Sequence, residues 1–379
     1  MVVSNDKKLF VTSSGDDVNP LMLKSDLDGN VLWQEQQKRT NHNKSVSLGE
    51  MVEVDTTYFM AGSDEYKKSA LLMHFSRNGD LMDFKVYQPA GMSSVKGPLI
   101  TRTDDDHLIM AGPARDNGKQ DMILWLRTTI HGDLQIFQTL KAKKDLYPVK
   151  LLPLTNGNGE VIVATYAGDY YPSQYVNNFP RLFRMDSAGS CVWAKDFYLP
   201  YGVTLSDIIQ LSDGGYLMIG NGIYKSYVFK TNADFEPQWM KSVEFPNPFG
   251  AGPFPAFYAV LEKENHHLMI SGSQQFNTTD AYSLLVETDE AGNLLQARLD
   301  SMGNAITKMA AMPNQFILLA GRDRLNHLSF ASLDSNSNHA CSLSPVLLNW
   351  YDDVMPVVIK KAFNPGVQTN DPSPDTFKF

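Results

Sequence analysis

The stretch HLMISG at 267–272 decides how this chain is read, because versions of it recur: YFMAG at 58–62, HLIMAG at 107–112, YLMIGN at 216–221 and FILLAG at 316–321. Looser copies are LFVTSSG at 9–15 and VIVATYAG at 161–168, which makes seven in 379 residues. Each phrase is a short apolar run that ends on or beside glycine. Self-similarity at a period of about fifty residues marks a repeat architecture, in which each unit buries its apolar face against its neighbours. A solenoid and a propeller are the forms open to such a chain.

Residues 255–300 show the whole unit: PAFYAVLEKEN (255–265), HLMISG, AYSLLVETD (281–289) and NLLQARLD (293–300). Four short apolar segments separated by turn signals read as an antiparallel meander. The second segment is nearly continuous in apolar residues, as expected of a strand covered on both faces. First strands run into polar turns such as Asp55-Thr56-Thr57, Asp104-Asp105-Asp106 and Ser212-Asp213-Gly214-Gly215. Third and fourth strands meet at DLDGN (26–30), RNGD (77–80), HGD (131–133), DSAGS (186–190) and DEAGN (289–293), where glycine supplies the positive φ of a tight hairpin. A large residue often follows: Trp33, Phe84, Phe137, Trp193 or Trp239.

The chain ends complete the argument. The N-terminus opens on a second-strand phrase, and VMPVVIKKAF at 354–363 has the pattern of the first strand that this unit lacks. The expected fold is therefore all-β, a seven-bladed β-propeller of four-stranded antiparallel blades. Strand 354–363 would join the N-terminal blade and close the ring, which removes the exposed edge of an open array. The units fall at 46–87, 95–140, 148–197, 203–243, 255–300 and 305–345, with a composite blade from 7–36 and 354–363. Residues 1–363 form one domain, and 364–379 are expected to be a mobile tail. A β-solenoid, with shorter rungs, needs no terminal exchange.

DAYSLLVETDEAGNLL (280–295) and PLMLKSDLDGNVLW (20–33) resemble the bacterial β-propeller repeats of exported and surface proteins. The resemblance runs to about residue 363 and rests on hairpin motifs. It implies a binding or scaffold propeller in the periplasm or on the cell surface, as one subunit of an envelope, surface or secretion assembly. There is no recurring Trp-Asp dipeptide, one Gly-Gly doublet (Gly214-Gly215), and no run of tryptophan-docking motifs. The opening MVVSNDKK lacks the apolar core of a signal peptide, so either the protein is cytoplasmic or, on the exported reading, the chain is a mature fragment with an added Met1.

Composition bounds the partners. With 43% hydrophobic and 11% aromatic residues the chain buries a large core. The net charge is -9 and basic residues form no stripe, which argues against a nucleic-acid partner. No apolar run approaches the roughly 18 residues of a membrane span. Cys191 and Cys341 are too few for a disulfide framework or zinc site and read as buried free thiols. DLDGN opens like a calcium loop, but its twelfth position is Gln37, and a hairpin turn explains all the units together. Asp104-Asp105-Asp106-His107 and Glu262, Glu264, His266 and His267 are metal-capable, yet they occupy matching turns of different blades. Neither G-x-S-x-G nor H-E-x-x-H occurs. No catalytic residue, metal ligand or cofactor is assigned.

The chain departs from its own template in its loops. AGDYYPSQYVNNFPR (167–181), YLPYG (198–202) and FPNPFGAGPFP (245–255) would share one face over the fourth to sixth blades. They carry Tyr170, Tyr171, Tyr175, Phe179, Tyr201, Phe249 and Phe254, rigid aromatic area suited to recognising a protein or glycan. The leading expectation is a non-enzymatic binding scaffold. The alternative is a hydrolase or lyase at the mouth of the central channel, where Glu53, Arg102, Lys150 and Lys308 on first strands would be the candidates. A third reading is a structural ring packed through its blade sides.

Overall fold

The computed structural model describes residues 2–3, 9–15, 18–26, 31–36, 46–64, 67–89, 91–116, 121–142, 144–155, 157–168, 178–199, 202–222, 225–244, 256–275, 281–300, 305–311, 317–322, 328–333, 343–345, 349–353, 355, 357–361 and 377–378. These residues form strands and turns, and among them no helix is long and apolar enough to cross a membrane. The chain divides into two compact units, residues 1–170, 181–196 and 360–379, and residues 171–180 and 197–359.

The first unit holds a sheet of Val2–Val3, Leu9–Gly15, Val18–Ser25 and Val31–Gln36, in that order. Next comes Val46–Val54, Thr57–Asp64, Ser69–Phe75 and Leu81–Pro89. A third sheet orders Leu99–Arg102, His107–Asp116, Asp121–Thr129 and Leu134–Leu140, with Met92–Val95 also paired to its second strand. Asp145–Pro153, Val161–Gly168, Phe179–Met185 and Cys191–Tyr198 form another, most of which lies in this unit. The second unit contains Thr204–Gln210, Tyr216–Asn221, Ser226–Thr231 and Pro237–Glu244, then Ala256–Glu262, Leu268–Gln275, Ala281–Thr288 and Leu294–Asp300. Its last sheet is Ala305–Ala311, Ile317–Arg322 and Leu328–Leu333. Chain neighbours pair antiparallel, and repeated four-stranded sheets of this kind are the blades of a β-propeller-type fold.

The glycine of the recurring phrase has a steric cause. Gly62, Gly220, Gly272 and Gly321 each sit opposite a first-strand residue beside which the register slips: Leu48, Leu205, Phe257 and Ile306. A β-bulge pushes the first-strand backbone toward its partner there. A Cβ on Gly272 would collide with the Ala256 carbonyl oxygen. The residues ahead of the glycine are buried on both faces, as in Tyr58–Ala61 and Leu108–Ala111. They feed cores built from successive sheets: Leu108, Met110 and Leu124 pack with Phe59 and Leu72, and Leu268, Ile270 and Leu284 with Leu217 and Ile219.

The hairpins between third and fourth strands follow one chemical rule. The first turn residue donates its N–H to the carbonyl four residues on, and the fourth donates back, as in Thr129 to Asp133 (3.0 Å) and Gly132 to Thr129 (3.0 Å). The first residue's side-chain oxygen then accepts the fifth residue's N–H, at Ser76 (3.1 Å), Thr129 (3.1 Å), Asp186 (2.7 Å), Asn232 (2.9 Å) and Asp289 (2.7 Å). Gly79, Gly132, Gly189 and Gly292 take positive φ at the fourth place, and Phe235 does so in the 232–236 hairpin while stacking on Tyr216 at 4.0 Å. Most of DLDGN lies outside the described residues.

Four of these hairpins are also gripped by the preceding sheet. Lys24 Nζ donates to the Arg77 carbonyl (2.8 Å), and the Tyr87 hydroxyl donates to that of Gly132 (2.6 Å). Gln138 Nε2 donates to the Gly189 carbonyl, and Trp239 Nε1 to that of Glu290 (3.2 Å).

The sheet boundaries match the sequence-derived units within a few residues, but the C-terminal stretch does not behave as expected. Val357–Lys361 lies outside Cys191–Tyr198, and the N-terminal sheet takes Val2–Val3 as its own first strand, with Val2 opposite Phe10. The expected exchange of 354–363 into the N-terminal blade is therefore corrected. The segment's apolar alternation suits any open edge, and a fourth strand offers one. Leu343–Pro345 likewise lies on Leu294–Asp300 instead of closing the 305–333 sheet, and Asn349–Asp352 lies on Pro237–Glu244. Phe377–Lys378, within the expected tail, pairs with Gln88 and Pro89.

Candidate functional site

Third-strand residues directly opposite the third residue of the fourth strand form a register series: Lys24, His74, Arg127, Arg184, Lys230 and Glu287. In four sheets this side chain meets a charge on its own sheet's first turn. Arg127 pairs with Asp105, Arg184 with Glu160 (2.7 Å) and Lys230 with Asp213 (2.6 Å). In the 256–300 sheet the signs are exchanged, and Glu287 faces Lys263 at 2.9 Å. His74 instead stacks on Phe59 at 4.2 Å, and burial holds its imidazole below the ordinary pKa, with Asp83 opposing.

The polar turns of the sequence reading are absorbed in this system. Burial alone would raise the Asp105 carboxyl, but the Thr103 hydroxyl and the Arg127 guanidinium outweigh it and hold the pKa below the usual range. Asp104 accepts N–H donation from Gly157 and Gly159 of the next sheet's turn, the latter at 2.9 Å. Burial likewise opposes ionisation of Asp213, and the Lys230 ammonium and Gly215 N–H reverse it. Among the described residues no group of three or more His, Cys, Asp or Glu is placed to hold a metal ion.

Around the 262–267 turn, His267 Nδ1 lies 2.9 Å from Glu287, and Gln296 donates to the same carboxylate. Met269, Leu285, Glu287, Gln296 and Arg298 line a cleft with room for about one water molecule at most. On the turn's other side, Ser212 donates its N–H (2.7 Å) and hydroxyl (2.6 Å) to Glu262, and its Oγ lies 2.9 Å from His266 Nδ1. Serine, histidine and glutamate suggest a nucleophilic triad. Such a relay uses both imidazole nitrogens. Here Ser212 and Glu262 meet the same nitrogen, so the ring cannot pass a proton from one to the other. The contact ties two turns together.

At the opposite strand ends, the stems of the long loops are pinned. Arg181 makes a bidentate pair with the buried Asp196, Nε to Oδ1 at 2.5 Å and a terminal nitrogen to Oδ2 at 2.8 Å. Val203 donates its N–H to the Asn178 carbonyl (2.8 Å), and the Asn178 amide reaches Thr204 Oγ1 at 3.3 Å. Asn221 bonds both backbone groups of Phe257, at 2.8 and 2.9 Å, just after the 245–255 loop. Arg181, Asn178 and Asn221 escaped sequence reasoning, because nothing in their local sequence names a partner 15 to 36 residues away.

Of the aromatic residues expected to recognise a partner, Phe179 is described. It starts a strand, is 5% exposed and rests on Tyr198 at 4.6 Å. Its ring packs the loop stem. Tyr170, Tyr171, Tyr175, Tyr201, Phe249 and Phe254 lie outside the described residues. Arg102 is held by Asp106 (2.6 Å) and Asp55 (3.5 Å). Glu53 and Lys150 lie on first strands of the first unit, and Lys308 on one of the second. Cys191 is buried, with its thiol pushed up to about 12 by burial, eased by the Trp193 carbonyl contact and reinforced by Asp186. Cys341 lies outside the described residues.

No family model matches the sequence, and no curated protein does. Among solved structures the chain is similar to a protein from Lactobacillus plantarum, 12% identical, over 94% of this chain and 99% of that one, with a TM-score of 0.55. A neuraminidase-like protein of A/little yellow-shouldered bat/Guatemala is 11% identical over 76% of this chain and 91% of its own, with a TM-score of 0.45. A glucose dehydrogenase is 10% identical over 76% and 98%, with a TM-score of 0.43. The likeness is one of fold.

Proposed function

We propose that this chain is a non-enzymatic scaffold, a propeller of seven blades that takes a protein or glycan through its long loops. The observation that carries this reading is the fixing of the loop stems. Asn178 and Arg181 fasten the C-terminal end of 167–181, Asp196 and Val203 are held on either side of 198–202, and Asn221 holds Phe257 just after 245–255. Loops on rigid stems lose little freedom on binding, so their aromatic residues hold a partner at low entropic cost. At the other strand ends the charged groups pair within the fold, in the same position sheet after sheet, which is the pattern of a structural brace. The resemblance of 280–295 to repeats of exported proteins supports an envelope or surface assembly as the setting.

The test is co-purification from native cells, comparing the wild type with a variant carrying Tyr171→Ala, Tyr175→Ala and Phe249→Ala. A protein or glycan recovered with the wild type and lost from the folded variant is the expected outcome. Full retention by a folded variant contradicts the proposal.

A further inference from the structure

Strand Leu81–Pro89 departs from its sister fourth strands. One residue into such strands an exposed side chain is the rule, glutamine at Gln135 and Gln238 and apolar at Leu32, Met82, Val192 and Leu295, which are 48, 59, 48 and 50% exposed. Three residues in, burial is the rule, with Phe137, Ala194, Met240 and Ala297 at 8, 7, 2 and 6%. Phe84 occupies that position and is 57% exposed, and Leu81 beside it is 46% exposed. Among the described residues no strand lies on the outer edge of Leu81–Tyr87, since Phe377–Lys378 reaches only Gln88 and Pro89. An apolar strand with an open edge is a template for strand pairing. Fourth strands of this chain do accept outer strands, as Pro237–Glu244 accepts Asn349–Asp352.

We propose that a second copy of this chain pairs here, antiparallel, residues 81–87 against 81–87 about a two-fold axis at Phe84. The charge pattern selects that register. With Phe84 opposite Phe84 of the partner subunit, Asp83 faces Lys85 of the partner subunit, and Lys85 faces Asp83 of the partner subunit. Opposite charges directly across an antiparallel pair stabilise it and like charges oppose it. Centring on Asp83 would set two carboxylates face to face, and centring on Lys85 two ammonium groups. Asp83 and Lys85 pair within the chain at 3.7 Å, and Asp83 accepts the Phe84 N–H at 2.8 Å, but at 58% and 42% exposure both side chains remain accessible to a partner. An isologous contact of this kind closes on itself and stops at a dimer.

Sedimentation velocity of the full chain over a concentration series tests the proposal. The wild type forms a dimer. Asp83→Lys and Lys85→Asp each weaken it by about tenfold, and the double variant restores it, because the charges again face their opposites. Opposed residues in an antiparallel pair have Cα atoms about 4.5–5.5 Å apart, within disulfide reach. Phe84→Cys therefore yields a disulfide-linked dimer on mild oxidation, and Gln88→Cys does not. Circular dichroism of each variant verifies folding. A wild type that stays monomeric at high micromolar concentration overturns the proposal. So does a folded double variant no better than the singles, or a wild type that pairs only with a different protein.

Discussion

Glu287 and Lys263 show how one residue position can keep its role while its sign changes. Arg127, Arg184 and Lys230 are cations on the third strand facing an anion on the first turn. Glu287 and Lys263 reverse this and are both buried, their side chains 6% and 8% exposed. Removing one partner of a buried pair leaves an uncompensated charge and costs about 3–5 kcal/mol. Glu287→Lys and Lys263→Glu are each expected to destabilise by roughly 3 kcal/mol in urea unfolding, and the double swap to recover most of that loss. Additive losses would show that the position does not work as a pair. Aligning the apolar phrases places His107 and His267 at the same turn entrance, which is legible in the sequence. The Glu287 contact is not, because its partners are 20 and 24 residues distant along the chain and meet only across a paired strand.

At the scale of elements, the apolar-Gly phrase records a collision avoided. The second strand passes a bulged first strand, and the small residue makes room for its backbone. Gly272→Ala, which drives a Cβ into the Ala256 carbonyl, is expected to cost about 2–3 kcal/mol and to lower the thermal midpoint, as calorimetry would show. An unchanged midpoint would mean that the bulge yields. Hairpins and second strands were legible because glycine, capping oxygens and a run of apolar residues announce them. The added outer strands were not. Leu343–Pro345 and Asn349–Asp352 have 3 and 4 residues, too few to carry a period.

For the whole molecule, repetition accounts for the sheets, and the loops proposed to bind a partner are the departures from it. A repeat shows how many times a unit is built, but a C-terminal stretch can dock on any open edge, so the placement of 354–363 could not be read from pattern. The loop aromatics were found as departures in composition, and the residues that hold their stems became visible only in three dimensions. On the proposed function, binding resides in the loops while the charged turns serve stability. This division is tested most directly by titrating the co-purified partner against three proteins: the wild type, the Tyr171→Ala, Tyr175→Ala, Phe249→Ala variant, and the Lys263→Glu, Glu287→Lys swap. Loss of at least about tenfold in affinity for the loop variant, with the swap matching the wild type, is the predicted result. Full affinity in the loop variant and loss in the folded swap would contradict it.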